Sequence, residues 1–227
     1  MKILIFSDIH ANYDALKSLV QRETYDFSIF LGDSVDYGPQ PAETLDLLLE
    51  TTDIRIMGNH DRAVAYDEDC HCSLEMHDLS EYTRKEVSMK LLSSNDMDKL
   101  RKFDEFVTRD IENMKFYMTH ASPNNHLYGY LFSTEAEMVC RDKKLSEFSY
   151  ILVGHTHFMM IYRNRILNPG SSGQPRDGNP MPTYLLMDTE NNQISFKRFS
   201  YDREKTREKL RDMIKDQAYL QRLLSFY

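Results

Sequence analysis

Met1-Lys2-Ile3-Leu4-Ile5-Phe6-Ser7-Asp8-Ile9-His10-Ala11-Asn12 opens with a short apolar run that stops at an acidic residue. A membrane-spanning or secretory segment needs a much longer apolar stretch, of roughly 20 residues for a spanning helix. Ile3 to Ser7 therefore reads as a buried strand, and Asn12 as the N-cap of a helix that buries Leu16, Leu19 and Val20. The same unit recurs downstream. Phe27 to Leu31 is a second strand, Tyr37-Gly38-Pro39 a turn, and Pro41 opens a helix carrying Leu45, Leu48 and Leu49. Ile54 to Met57 supplies a third strand. Alternation of this kind specifies an α/β sheet whose ligands bind where strands give way to loops at their carboxyl ends.

Further along, residues 66–109 turn polar and helical, with Met89, Leu91, Leu92 and Leu100 as apolar positions, which predicts a helical insertion. Strands resume at Glu105 to Thr108, Met114 to Thr119 and Tyr150 to Val153, with a helix over Thr134 to Lys143. Thr183 to Asp188 and Gln193 to Phe199 flank Asn191-Asn192 as a hairpin, which predicts a second, partly antiparallel sheet. Residues 202–227 read as one amphipathic helix with Leu210, Met213, Ile214, Leu220 and Leu224 on one side, packed on the sheet and offering a face to a homodimer. A chain of 227 residues fits a single domain, with no internal repeat.

Composition narrows the partners. A hydrophobic content of 41% with 28% charged residues is globular, and 28 basic against 36 acidic residues leave a net charge of -8. That sign repels anionic membranes and long nucleic acids. Cys70, Cys72 and Cys140 are too few and too unevenly spaced for a disulfide framework, which places the protein in a reducing compartment, the cytoplasm.

Chemistry concentrates at the strand ends: Asp8-Ile9-His10, Gly32-Asp33, Gly58-Asn59-His60-Asp61 and Gly154-His155-Thr156-His157, with His120 after another apolar strand. In an extended segment, side chains at i and i+2 point the same way, so Asp8 pairs with His10 and His155 with His157. Imidazole, carboxylate and amide oxygen together suit borderline ions such as Mn, Fe and Zn, whereas Mg or Ca sites prefer oxygens alone. Seven ligands with one shared carboxylate exceed one ion but suit two held about 3.5 to 4 Å apart. Two dications against the carboxylates of Asp8 and Asp33 leave the site cationic by about two units, attractive to a phosphoryl group, and lower the pKa of a shared water to roughly 7.

The set D-x-H, G-D, G-N-H-D, T-H-A-S-P and G-H-T-H, in this order, resembles the calcineurin-like metallophosphoesterase superfamily. The run Asn168-Pro-Gly-Ser through Gln174-Pro-Arg-Asp-Gly resembles its small prokaryotic phosphodiesterase branch. The resemblance implies a four-layer α-β-β-α sandwich of two mixed sheets. It implies one metal on Asp8, His10, Asp33 and His157, and the other on Asp33, Asn59, His120 and His155, with Asp33 as the bridge. It makes His60 the non-ligand histidine that stabilises the phosphoryl transition state or protonates the leaving oxygen, with Asp36 orienting it. Where phosphoprotein phosphatases of the superfamily carry a phosphate-binding Arg after that Asp, this chain has Tyr37, which argues against protein substrates. The expected reaction is hydrolysis of phosphodiesters, cyclic or nucleotide-derived, by in-line attack of a metal-bridging hydroxide, with dinucleoside polyphosphates as the alternative substrates. The competing reading from another class is a non-catalytic interaction scaffold, against which stands the retention of His60.

Other motifs carry blander readings. Asp61 reads as a cap on the following helix, outside the site. Cys70-His71-Cys72 with His77 lacks the C-x2-C spacing of zinc sites and reads as a loop with incidental thiols. Asn124, Asn125, His126, Tyr128 and Tyr130 either line the substrate pocket and stack a base or form a surface loop.

Overall fold

The computed structural model describes residues 1–227. Its first sheet contains β1 (Lys2–Phe6), β2 (Phe27–Phe30), β3 (Ile54–Arg55), β9 (Thr183–Asp188) and β10 (Gln193–Arg198), in the order β10-β9-β1-β2-β3. Strands β1 to β3 run parallel, joined by α1 (Tyr13–Val20) and α2 (Pro41–Thr51) as the alternating pattern predicts. The second sheet orders β4 (Phe106–Ile111), β5 (Met114–Thr119), β6 (Tyr150–Leu152), β7 (Met159–Tyr162) and β8 (Ile166–Pro169) as β4-β5-β6-β8-β7.

Strand β1 shows why the sheets stack. Its residues from Ile3 to Phe6 are all fully buried, because both faces are covered. Ile3 and Ile5 join Ile29, Leu31, Phe116, Met118, Leu152 and Leu167 in an apolar layer between the two sheets. Leu4 and Phe6 point the other way, onto Leu16 and Leu19 of α1, Leu45 and Leu48 of α2, and Val64 of α3 (Asn59–Tyr66). On the far face of the second sheet, Tyr117, Ile151 and Ile166 pack on Ala136 and Val139 of α7 (Ser133–Arg141). Helix, sheet, sheet and helix are thus the four layers.

Three expectations change. The hairpin β9–β10 does not begin a second sheet: β9 pairs antiparallel with β1, Lys2 opposite Asp188, and extends the first. The second sheet instead gains β7 and β8, a hairpin that the sequence conceals because Arg163 and Asn164 make its turn at φ of 50° and 49° without a glycine. The tail is two helices, α8 (Arg203–Met213) and α9 (Gln217–Leu224), not one. The Asp216 side chain accepts from the amides of Ala218 and Tyr219, and this N-cap starts a new helix where the first stops. Nor does the tail lie on a sheet. Leu210, Ile214, Leu220 and Leu223 are buried with Leu79 and Val87 of the insertion, whose helices are α4 (Leu74–Thr83), α5 (Met89–Leu91) and α6 (Ser94–Leu100), so its apolar face is covered within the chain. No helix is long and apolar enough to cross a membrane.

Candidate metal centre

The carboxyl ends of β1, β2 and β3 in one sheet and of β5 and β6 in the other meet at one edge of the sandwich, and each delivers part of the site there. Convergence does not arise from extended backbone, as the i, i+2 spacing suggests. Asp8 and His10 have φ of 56° and 49°, Asp33 and Asp36 63° and 72°, and His155 and His157 64° and 61°. These left-handed turns fold each chain back over the strand end, at a cost of order 1 kcal/mol or more per residue that surrounding contacts must offset.

Close packing enforces the turns. A Cβ on Gly58 would lie 2.0 Å from Asp33 Oδ1, so only glycine lets the β3–α3 loop press against that carboxylate. Asp61 does more than cap α3. Its carboxylate accepts from the amides of Asp33 (2.8 Å), Ser34 (2.8 Å) and Gly58 (3.0 Å), locking the loop that bears Asp33 to the loop that bears Asn59.

Two buried clusters result. Asp8, His10 and His157 bring one donor atom each to a common point, and Asp33, His120 and His155 do the same beside them. Asp33, of the second cluster, also faces the first: its Oδ2 is 3.7 Å from His10 Nε2 and 3.3 Å from His120 Nε2, while its Oδ1 accepts from the His60 amide at 2.9 Å. Asn59 joins the second cluster through Oδ1, 3.1 Å from His120 Nε2, and is aimed by its Nδ2, which donates to the Cys70 carbonyl at 2.8 Å. All seven residues predicted as ligands are therefore gathered.

The donor set fits metal ions on its own chemistry. The Nδ1 atoms of His10, His157 and His120 face the carbonyls of Val35, Gln174 and Leu31 at 3.2, 2.6 and 2.7 Å. Donating there, His10 and His157, which burial keeps neutral, leave Nε2 as a free lone pair, whereas without a metal the carboxylates of Asp33 and Asp8 favour a proton on His120. His10 Nε2 and His157 Nε2 then confront each other at 3.2 Å, two acceptors with no proton to share. Asp8 Oδ1 and His155 Nε2 are buried with no hydrogen-bond partner, Asp8 Oδ1 facing only the His157 Nε2 lone pair at 3.3 Å. Orphaned lone pairs aimed at a common point are what a cation satisfies.

His60 stands apart from both clusters. Its Nδ1 donates to Asp36 Oδ2 at 2.8 Å, and Asp36 is itself fixed by the Ser80 and Thr83 hydroxyls, at 2.6 and 2.5 Å, and by the Tyr37 amide. The insertion thus contributes to the centre by holding Asp36, a role for Ser80 and Thr83 that carries no motif signal in the sequence.

Electrostatics sorts these groups. Burial lowers the proton affinity of His10, His155 and His157 well below the usual imidazole range, which keeps them neutral. Burial acts on Asp33 in the opposite sense, but the charged His120 and His60 outweigh it and hold its carboxyl well below the ordinary range. Asp8 is pushed up to about 7 by burial, against the pull of His120. Burial would also lower His60 and His120, yet Asp33 and Asp36 raise His60 to about 10, and Asp33 and Asp8 raise His120 to about 9.

The remaining motifs separate. His71 is exposed and His77 Nε2 reaches Asp69 at 3.0 Å, so neither joins a site with the cysteines. Cys70 and Cys72 instead lie beside His60. Of the residues following His120, Tyr130 packs tilted against His155 with centroids 4.3 Å apart, whereas His126 meets Tyr117 and Phe106, and Tyr128 meets His71. Support also comes from the run that begins at Asn168, to which the sequence assigns no contact. Asn168 Nδ2 donates to the Gly154 carbonyl at 2.7 Å and the Ser171 hydroxyl to the Asp8 carbonyl at 2.7 Å, which gives the Asn168–Gly178 run its place behind the ligands.

Comparison with known proteins agrees with this fold. The family model of the calcineurin-like phosphoesterase superfamily domain matches residues 1–192. A metallophosphoesterase from Sphaerobacter thermophilus superposes with a TM-score of 0.81 at 26% identity, covering 100% of this chain and 99% of its own. Hypothetical protein PH1004 from Pyrococcus horikoshii OT3 gives the same TM-score at 20% identity, over 98% and 97% of the two chains. The uncharacterized protein MJ0912 of Methanocaldococcus jannaschii is 27% identical over 92% of this chain and 91% of its own.

Proposed function

Because the chain belongs to the calcineurin-like phosphoesterase superfamily, we propose that it is a phosphoester hydrolase working with two divalent transition-metal ions, Mn, Fe or Zn, on phosphodiesters. The observation that carries this reading is the pair of buried three-residue clusters joined by Asp33. One ion would rest on Asp8, His10, Asp33 and His157, the other on Asp33, Asn59, His120 and His155. Bound there, the ions would supply Lewis acidity toward the phosphoryl oxygens and a water whose pKa falls to roughly 7.

The chain's own groups account for the rest. Carbonyl-anchored imidazoles preset the ligand directions, so little reorganisation accompanies binding. His60, oriented by its Nδ1 contact with Asp36, would present Nε2 to the leaving oxygen as a proton donor. That proton matters most for alkoxide leaving groups, where general acid catalysis contributes about 10² to 10⁴ in rate. We place the protein in the cytoplasm on its free thiols.

A second reading, hydrolysis of dinucleoside polyphosphates, is favoured by Arg176, a guanidinium beside the centre with no carboxylate partner. Both readings are tested by reconstituting metal-stripped protein with Mn, Fe, Zn or Mg and assaying bis-p-nitrophenyl phosphate and diadenosine tetraphosphate. Turnover with a transition metal supports the hydrolase. Stoichiometric metal binding with no turnover of either substrate would make the protein a scaffold.

A further inference from the structure

Arg176 lies in the loop after β8, with its guanidinium carbon 5.5 Å from the Tyr37 ring centroid and 5.9 Å from that of Phe226. Its Nε and Nη2 both donate to Gln174 Oε1, at 3.1 and 2.5 Å. The neighbouring carboxylate, Asp177, is taken by Arg198 instead. Arg176 is thus a half-buried cation with no counter-ion, held in place by two aromatic faces and one amide, with Nη1 uncommitted. Partly open to solvent and pre-positioned by the aromatic faces, the guanidinium leaves a side on which an anion can dock.

The groups that hold Arg176 are also those that border the metal centre. Tyr37 packs edge-on against His10 and tilted against His60, each 5.0 Å between centroids. The main chain of Gln174 accepts from His157 Nδ1. The guanidinium charge is felt at Asp8, His10, His155 and His157, where it disfavours protonation. Tyr37 occupies the position where an arginine follows the Asp in phosphoprotein phosphatases, and here a guanidinium is brought to the face of that tyrosine from a distant loop.

We propose that Arg176 forms an anion subsite beside the metal centre that takes the phosphate adjoining the scissile one, so that the preferred substrates carry a phosphoanhydride chain. The proposal rests on the phosphoesterase reading and, within it, moves the preference from simple phosphodiesters to the second reading's polyphosphates. A simple diester bears one negative charge, which two dications already match. A neighbouring phosphate adds charge that needs a further cation, and the planar fork of arginine suits its paired oxygens.

The test compares wild type, Arg176→Gln and Arg176→Lys, all metal-loaded. It measures kcat and KM for diadenosine tetraphosphate and bis-p-nitrophenyl phosphate, and binding of inorganic pyrophosphate by calorimetry. Arg176→Gln should lose about 10- to 100-fold in kcat/KM on the polyphosphate, chiefly through KM, and a similar factor in pyrophosphate affinity, with at most a few-fold loss on the diester. Arg176→Lys should recover part of both, and does so even if the Gln variant folds poorly. Equal losses on the two substrates, or unchanged pyrophosphate affinity, overturn the subsite. If wild type turns over neither substrate, the hydrolase reading fails and the pyrophosphate titration alone decides whether the anion subsite exists.

Discussion

The strands that cross the middle of this protein have two different ends. Between the sheets, Ile3, Ile5, Ile29, Leu31, Phe116, Met118, Leu152 and Leu167 are fully buried and wholly apolar. Just beyond, Asp8, His10, Asn59 and His120 are buried to the same degree and wholly polar. The first end gains from leaving water, at about 25 cal/mol per Å². The second pays desolvation, left-handed backbone and orphaned lone pairs, and holds its shape because the first is rigid. Stability and chemistry are therefore separable along the same strands.

The sharpest check on that separation is Asp33→Ala, which removes the carboxylate proposed to bridge the two clusters. Turnover should fall at least about 10³-fold and bound metal should drop below two ions by atomic emission, with the far-ultraviolet circular dichroism of the fold retained. At the other end, Phe116→Ala should cost about 3 to 5 kcal/mol in denaturant unfolding while leaving turnover per folded molecule close to wild type. Loss of turnover in molecules that are still folded would show that the two ends are not independent.

Within the polar end, His60→Ala should slow hydrolysis of an alkyl phosphodiester by about 10²-fold, and of a nitrophenyl diester much less, at unchanged metal content. Equal slowing of both esters would give His60 a structural role instead. The smallest effect concerns the metal-free protein. His60 and His120 hold protons more tightly folded than unfolded, so the stability they contribute is complete below pH 6.5 and is lost as pH rises through about 9 for His120 and about 10 for His60. Metal-free protein should melt roughly 5 °C lower at pH 9.5 than at pH 7, and His60→Ala should flatten that slope.

How legible each part is in the sequence follows from what fixes it. Strands β1 to β3 are readable because both of their faces are apolar and helix caps such as Asn12, which accepts from the Ala15 amide, mark the boundaries. The ligands are readable because donor-rich triplets recur at strand ends. Their backbone is not, since Asp and His rarely adopt φ near 60° and only tertiary contacts such as the grip of Asp61 on Asp33 impose it. The β7–β8 hairpin and the break at Asp216 turn on single residues whose alternative, continued coil or helix, differs by little locally. Ser80 and Thr83 are invisible for a different reason: their partner Asp36 is far away in sequence, and no spacing announces them.

The seat of Arg176 between Tyr37 and Phe226 also has a consequence for synthesis. At roughly 5 to 20 residues per second, a nascent chain emerging from the ribosome presents residues 8 to 157 several seconds before residue 226. The side chains proposed to capture metal can therefore assemble while the ring that steadies Arg176 has yet to be made. Affinity for ions would precede discrimination among phosphates, in the order in which the polypeptide is written.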